Sequence, residues 1–111
     1  MTTIFEKIIR KDIPCDFVFE NSNFIVIHDK FPRAPVHLLI IPKKHFSCIH
    51  AVPSEELYLI SEAFSIIQKM AERFSIADGY KVMINNGKQG GQEIFHLHLH
   101  LLGGRKFDSI I

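Results

Sequence analysis

Three histidines occupy alternate positions near the carboxyl end of the chain, within residues 95–102. Side chains two residues apart on a β-strand point to the same face, so His96, His98 and His100 are expected to share one face. The intervening apolar residues, from Phe95 to Leu101, are expected to point the other way, into a core. A buried imidazole must find partners for two ring nitrogens, which a purely structural strand does not need. This face therefore indicates chemistry.

Covalent catalysis on phosphorus suits such a row of imidazoles. A neutral imidazole is a good nucleophile at pH 7, and its neighbours can orient it and hold the anionic group that it attacks. A glycine-rich loop at residues 86–92 lies just before the strand. Its backbone amides could line a phosphate pocket, although a tight hairpin accounts for the loop equally well.

Metal binding is the alternative for the same residues. Zinc takes imidazole nitrogens at ~2.0–2.1 Å. Alternate Cα atoms on a strand lie roughly 6.6 Å apart, so the outer two histidines, about 13 Å apart, could share an ion only at full stretch. His98 and His100, with His37 as a third ligand, form a feasible set. No cysteine or carboxylate stands at a convincing ligand spacing, so we expect no metal and no other cofactor.

The elements that must position these side chains follow from the apolar patterns. A short helix with a threonine cap is expected first, and a long helix with a serine cap at Ser54 is expected after the third strand. Strands are expected at residues 16–20, 24–29, 36–41, 80–85 and 94–102. Short links between strands imply antiparallel pairing. The predicted class is α+β, with a five-stranded antiparallel sheet, one short amino-terminal helix and one long helix.

The long helix carries two apolar stripes. The first is predicted to cover the sheet and contains Leu57, Ile60, Phe64, Ile67, Ala71 and Phe74. The second is predicted to form a subunit interface and contains Leu59, Ala63, Ile66 and Met70. A single wide buried face is the other interpretation, but one small domain has little core to share between two stripes.

Length, charge and cysteine content limit the number of domains, the kinds of partner and the cellular compartment. The 111 residues are enough for one domain, spanning 1–111. Thirteen lysines and arginines against twelve acidic residues leave a formal charge of +1, which gives no case for binding nucleic acid or a membrane surface. Two widely spaced cysteines, with no signal peptide and no long apolar run, are typical of a reduced cytoplasmic protein.

The motif His96-Leu-His98-Leu-His100-Leu-Leu resembles the signature of the histidine triad (HIT) family. Residues 4–14, 34–45 and 90–105 are also similar to its Hint branch, the histidine triad nucleotide-binding proteins and purine nucleoside phosphoramidases. The resemblance implies a HIT-like fold, a homodimer whose two sheets join into one, and a purine nucleotide bound across each sheet. It also implies hydrolysis of the P–N bond of nucleoside 5′-phosphoramidates through a nucleotidyl-histidine intermediate.

The resemblance assigns a role to each histidine. His98 would attack the α-phosphorus, His100 would contact the phosphate and His96 would orient the nucleophile. His37 would join a proton relay toward the leaving amine. Asp29 matches a residue that takes the ribose hydroxyls, although it could equally cap a turn. Asn85 matches a polar contact near the phosphate. Four further residues match the apolar walls of the base pocket, although they could also be plain core: Phe5, Ile8, Ile13 and Ile27.

Two departures from the family pattern concern the leaving group. Glu93 stands where some members place a serine, and residues 106–111 lack the Trp-Pro-Pro ending of some relatives. Two other functions stay open. One is a dinucleoside polyphosphate hydrolase or nucleotidyl transferase of another HIT branch, although the transferases typically have a glutamine where His100 stands. The other is a nucleotide-binding regulatory protein without significant turnover.

Overall fold

Five antiparallel strands and two helices form the protein in a computed structural model that describes residues 2–108. In chain order the elements are α1 (Ile4–Ile9), β1 (Phe19–Glu20), β2 (Phe24–His28), β3 (Val36–Pro42), α2 (Tyr58–Arg73), β4 (Tyr80–Met83) and β5 (Leu99–Gly103). The strands lie in one sheet in the order β1-β2-β3-β5-β4, with every neighbouring pair antiparallel. The predicted α+β class and its five-stranded sheet with one short and one long helix are confirmed.

The short helix begins as the sequence predicts. Thr3 accepts a hydrogen bond from the Glu6 amide, and the Glu6 side chain accepts one from the Thr3 amide, which forms a capping box. The helix ends at Arg10, and Lys11 adopts a left-handed conformation with φ of 65°. One face of the helix buries Phe5 and Ile8. This face brings α1 against the histidine side of the sheet.

Strand β3 lies at the centre of the sheet, between β2 and β5. It is buried from His37 to Pro42, as expected for a strand covered on both faces. Each face has its own apolar cluster. The larger cluster packs α2 against one face and includes Leu38, Ile40, Leu97, Leu99 and Leu101. The smaller cluster covers the other face and contains Phe5, Ile8, Ile25, Ile27, Leu39 and Ile41.

The prediction that the second stripe of the long helix forms a subunit interface is wrong. The buried residues of α2 are Leu59, Ala63, Ile66, Ile67, Met70 and Ala71, so this stripe packs on the protein's own sheet. Leu57 and Phe64, predicted to cover the sheet, are each 47% exposed. The two stripes are adjacent and both apolar, so periodicity alone could not show which one faces the sheet.

Other boundaries also differ from the expectation. Ser54–Glu56 forms a 3₁₀ turn, and α2 begins after Leu57 with no side-chain cap, so Ser54 does not cap the helix. Strand β5 begins only at Leu99, and Phe95 is 47% exposed instead of lying in the core. Predicted strand 16–20 is reduced to its last two residues, Phe19–Glu20.

Two features bear on the cellular setting. Cys15 and Cys48 are both free thiols. None of the helices within residues 2–108 has the length and apolar character needed to cross a membrane.

Candidate active site

Strands β3 and β5 bring two histidines of the site into direct contact. His37 on β3 pairs with Leu102, and His100 on β5 pairs with Leu39, so the two imidazoles are diagonal neighbours on one face of the sheet. The Nε2 atom of His37 lies 3.0 Å from Nδ1 of His100. Both side chains are buried, with 2% and 9% exposure. The predicted partnership of His37 with the row is therefore present.

The backbone determines where the protons of this pair lie. The amide of Arg33 donates to Nδ1 of His37 at 3.1 Å, so neutral His37 carries its proton on Nε2. Nε2 then donates to Nδ1 of His100, and neutral His100 must carry its own proton on Nε2. The carboxylate of Asp29, whose Oδ2 lies 3.4 Å from Nε2 of His37, favours the same tautomer. The pair thus presents one fixed N–H donor, Nε2–H of His100.

The opposite tautomer is imposed on His98. Its Nδ1–H donates to the carbonyl oxygen of His96 at 2.8 Å, so Nε2 keeps its lone pair. Within residues 2–108, no hydrogen bond engages that Nε2 atom. The imidazole centroids of His98 and His100 are 5.0 Å apart. A fixed lone pair therefore lies beside a fixed N–H donor.

The His96 ring is fixed by contacts on the side of the sheet that carries His98. It is fully buried, and its Nε2–H donates to the carbonyl oxygen of Pro42 at 2.8 Å. His45 stacks on it with ring centroids 4.8 Å apart and donates from its own Nε2 to the carbonyl of Phe95. The Phe5 ring makes T-shaped contacts with both His96 and His98. The residue whose carbonyl orients His98 is thus fixed through its own buried ring.

Gln92 and His45 are positioning residues that sequence reasoning missed. Gln92 is 4% exposed; its Nε2 donates to the carbonyls of Ser47 and Ile94, and its Oε1 accepts from the Gly87 amide. It ties the glycine-rich loop to the segment that leads into the histidines. A polar side chain between a glycine pair and an apolar strand is a weak signal for such a role. His45 lies within residues 34–45, which the family resemblance covers, but the resemblance assigned no role to it.

The glycine-rich loop is a tight turn whose amides are largely satisfied from within. Gly87 and Gly91 have φ values of 75° and 82°, which favour glycine. The amides of Gly87, Gly90, Gly91 and Gln92 all donate inside the loop. These four amides are therefore not available to line a phosphate pocket. The loop is not a tight hairpin either, because residues 84–98 separate β4 from β5, and its glycines serve the turn around the 3₁₀ segment Lys88–Gly90.

Burial lowers the pKa values of four histidines, because the charged form loses hydration: His37, His96, His98 and His100. For His37 and His98 the nearby Asp29 carboxylate partly opposes this effect on the pKa. For His96 the hydrogen bond to Pro42 partly opposes the lowered pKa. For His100 burial, reinforced by the positive charges that His98 and His37 would carry, lowers the pKa to about 4. All four imidazoles are therefore neutral at pH 7.

Two groups of side chains within residues 2–108 bring three possible metal ligands within 4.8 Å of one another. In the group of Asp29, His37 and His100, the facing imidazole nitrogens already hydrogen-bond each other. In the group of Glu6, His45 and His96, hydrogen bonds occupy both Nε2 atoms, and Nδ1 of His96 has no partner. Of the two groups, only this second one has an imidazole nitrogen, Nδ1 of His96, that is free to bind a cation. His98 belongs to neither group, so the zinc set of His98, His100 and His37 is not assembled.

The predicted base-pocket walls come together on the histidine face. Phe5, Ile8 and Ile27 belong to the smaller apolar cluster, and Ile13 packs against it. This cluster reaches the histidines through Phe5. The four residues thus pack together beside His98, and Phe5, Ile8 and Ile27 are buried there.

The two polar candidates have structural partners as well. Asp29 Oδ1 accepts from the Phe31 amide, a turn cap, while its Oδ2 faces His37. Asn85 donates from Nδ2 to the Gly90 carbonyl and braces the glycine-rich loop. Asp29 therefore lies within reach of the histidines, and Asn85 is adjacent to the loop that precedes them.

This arrangement is suited to transfer of a group through the His98 nitrogen. A neutral imidazole with an available lone pair can attack an electrophile without first losing a proton. The N–H of His100 can stabilise negative charge that develops next to it. Apolar walls on one side and polar groups on the other are typical of a small-molecule site.

Comparison with known proteins agrees with the fold and the histidine row. Residues 10–107 match the HIT domain family. An uncharacterized HIT-like protein of Chlamydia trachomatis is 58% identical over 110 residues, which cover 99% of each chain. The structure of a histidine triad protein from Clostridium difficile matches with a TM-score of 0.95 at 36% identity and covers 100% of this chain and 97% of that one. A HIT family hydrolase from Legionella pneumophila matches with a TM-score of 0.91 at 40% identity and covers 95% of each chain. The chain therefore belongs to the HIT domain family.

Proposed function

We propose that this protein is a purine nucleotide-binding hydrolase of the Hint branch that cleaves the P–N bond of nucleoside 5′-phosphoramidates. The observation that carries the proposal is the fixed tautomer of His98, which leaves a neutral Nε2 lone pair beside the N–H of His100. The description of the Legionella pneumophila relative as a hydrolase supports the same class of reaction. The whole chain acts as one HIT domain in this proposal.

The reaction has two displacement steps. In the first, Nε2 of His98 bonds to the α-phosphorus, and the P–N bond to the amine breaks with its electron pair staying on the amine nitrogen. That nitrogen takes one proton, which solvent supplies by way of the His100–His37 pair, so that both rings are neutral again after the transfer. In the second, a water oxygen bonds to phosphorus, the P–Nε2 bond breaks, and the water releases one proton to solvent. The products are a nucleoside monophosphate and a free amine.

Each supporting residue has a defined task in this proposal. His100 donates from Nε2 to a phosphoryl oxygen, and the carbonyl of His96 keeps Nδ1–H of His98 in place as the ring becomes cationic. Asp29 takes the ribose hydroxyls and Asn85 lies near the phosphate. The base packs on the apolar surface formed by Phe5, Ile8, Ile13 and Ile27. Because imidazoles fill the chemical roles, the reaction is proposed to need no metal.

The working form is proposed to be a homodimer in the cytoplasm. Strand β4 lies at the edge of the sheet, where its outer backbone groups can pair with another strand. Pairing of β4 with its copy would join the two sheets into one. The helix stripe predicted earlier as the interface is buried within the subunit and cannot take that role. The free thiols of Cys15 and Cys48 suit a reducing compartment.

The proposal is tested by comparing wild type with His98→Ala on an adenosine 5′-phosphoramidate, with AMP binding measured by calorimetry. We expect turnover to fall by several orders of magnitude while AMP affinity falls little, because the nucleophile is lost and the pocket is kept. His50→Ala, at an exposed histidine, is the control for loss of an imidazole.

Three outcomes contradict the proposal. Unchanged turnover in His98→Ala would exclude the nucleophile. Binding of AMP without turnover by the wild type would favour a regulatory nucleotide-binding protein. Faster turnover of a dinucleoside polyphosphate than of any phosphoramidate would favour the other HIT hydrolase branch.

A further inference from the structure

A cavity of about 280 Å³ lies beside the carboxyl-terminal half of β5. Among residues 2–108, three cationic side chains line it, those of Arg33, Lys81 and Arg105, together with the carboxylate of Asp108. The apolar part of its lining includes Leu102 and the ring of Phe107. The described lining of the cavity therefore combines two arginines with apolar side chains.

The sheet register puts this cavity on the same face as the histidines. Residues directly opposite each other in an antiparallel pair present their side chains to one face. Lys81 is opposite Leu102, and Leu102 is opposite His37. In the next row of the same face, Met83 is opposite His100. The cavity therefore lies on the same face of the sheet as His37 and His100, and Met83, which lines it, is directly opposite His100.

Arg33 connects the two regions electrostatically. Its amide donates to Nδ1 of His37, and its side chain lines the cavity. Burial is the main cause of the lowered pKa values of His37 and His100, and the positive charge of Arg33 lowers both pKa values further. The field of Arg33 therefore reaches the two imidazoles that face the substrate.

Arg105 is held in place by backbone carbonyls and an aromatic ring. Its Nε and Nη2 donate to the carbonyl of Arg33, its Nη1 donates to the carbonyl of Lys106, and its guanidinium lies 4.3 Å from the centroid of Phe107. Among the described residues, neither Arg105 nor Arg33 forms an ion pair with a carboxylate. A guanidinium that backbone carbonyls hold in place, with no carboxylate paired to it within residues 2–108, is organised in advance for an anion.

We propose that this cavity is the subsite for the leaving group and that it selects amines carrying an anionic substituent, a carboxylate or a phosphate. The proposal rests on the proposed function, since it describes which phosphoramidates are preferred. The apolar surface around Phe5 lies on the α1 side of the row and is assigned to the base, so the departing amine faces the opposite side, where the cations are.

The test uses matched substrates that differ only in charge. Adenosine 5′-phosphoramidates of glycine, β-alanine and 4-aminobutyrate are compared with those of the corresponding carboxamides, and phosphoethanolamine provides the phosphate arm. The measured quantity is the ratio of kcat/KM for the anionic substrate to that for the neutral one. We expect a ratio of about tenfold at low salt, falling as ionic strength rises.

Two variants locate the preference. Arg33→Gln keeps the backbone contacts of residue 33 and removes one charge, and Arg105→Gln removes another. Each is expected to lower the anionic-to-neutral ratio severalfold. Lys69→Gln, at an exposed lysine on the outer side of α2, removes a cation away from the cavity and should leave the ratio unchanged.

The outcomes separate this inference from the proposed function. Hydrolysis of the neutral amides with a ratio of one or less would support the phosphoramidase and overturn the subsite. A ratio that neither variant lowers would also overturn the subsite. If the variants changed the oligomeric mass and left the ratio unchanged, the cavity would be assigned to contact between subunits. A preference confined to the phosphate arm would narrow the ligand to phosphorylated amines. If no phosphoramidate is hydrolysed, the proposed function fails and the subsite fails with it.

Discussion

Acid should destabilise this protein through His100 before most carboxylates titrate. The folded structure lowers the pKa of His100 from 6.5 to about 4 by burying it. As the pH falls below about 6.5, the unfolded chain takes up the proton while the folded chain does not. Stability contributed by the neutral ring is therefore present above pH 6.5 and is lost progressively toward pH 4.

The size of the effect follows from the two pKa values. For one group with a pKa of 6.5 when unfolded and about 4 when folded, lowering the pH from about 7 to about 5 removes about 2 kcal/mol of folding stability. His37, His96 and His98 have lowered pKa values as well, so the wild-type loss should exceed this amount. The contribution of His100 is isolated by substitution.

The assay is urea unfolding at pH 7 and pH 5 for wild type and His100→Gln. A glutamine oxygen can accept the same hydrogen bond from His37 but does not titrate. The loss between the two pH values should be about 2 kcal/mol smaller in His100→Gln than in wild type. His50→Gln, at an exposed histidine, should behave as wild type does. Parallel losses in wild type and His100→Gln would refute the assignment of the acid sensitivity to this buried ring.

Three further predictions concern the need for a metal, the core residue Met70 and the close packing of Gly103 against Ile76. Turnover is expected to survive exhaustive chelation, because imidazoles fill the chemical roles; loss that zinc restores would contradict this. Met70→Ala should lower the free energy of unfolding by about 2–5 kcal/mol, since Met70 is 3% exposed in the core. If Met70→Ala unfolded at the same denaturant concentration as wild type, Met70 would not be a core residue and the interface prediction would stand again. Gly103→Ala should cost about 1–3 kcal/mol, because a Cβ there would lie 2.6 Å from Cδ1 of Ile76, whereas Gly79→Ala, with nothing within 4 Å, is the control that should unfold like wild type.

The sequence predicted the fold class because each element carries a local signal. The threonine cap of α1 and the apolar run of β3 are visible in the chain and recur in the structure, and the alternating segment recurs in part, since β5 begins at Leu99. The position of His37 beside His100 needed only the antiparallel pairing of β3 and β5. Local patterns with short connections were therefore sufficient for the elements and for that pair.

The rotation of α2 and the support of the site could not be predicted in the same way. Two adjacent apolar stripes differ only in which one meets the sheet, and that depends on the tertiary packing of Ala63 and Ile66. The bond from Gln92 to the Ser47 carbonyl spans 45 positions and that from His45 to the Phe95 carbonyl spans 50, and nothing in their local sequence indicates the partner. Long-range contacts of single polar side chains carry no periodic signal.

The early end of the β3–β5 ladder bears on the orientation of His98, the proposed nucleophile. The register that pairs Ile40 with Leu99 would place Pro42 opposite Leu97, but Pro42 has no N–H to donate, and the Leu97 amide donates to the carbonyl of Phe46. The backbone ladder therefore stops before residue 97, and histidine side chains bond to backbone carbonyls in this segment. The His96 ring donates to the carbonyl of Pro42, and Nδ1 of His98 donates to the carbonyl of His96. This second bond keeps Nε2 of the proposed nucleophile unprotonated.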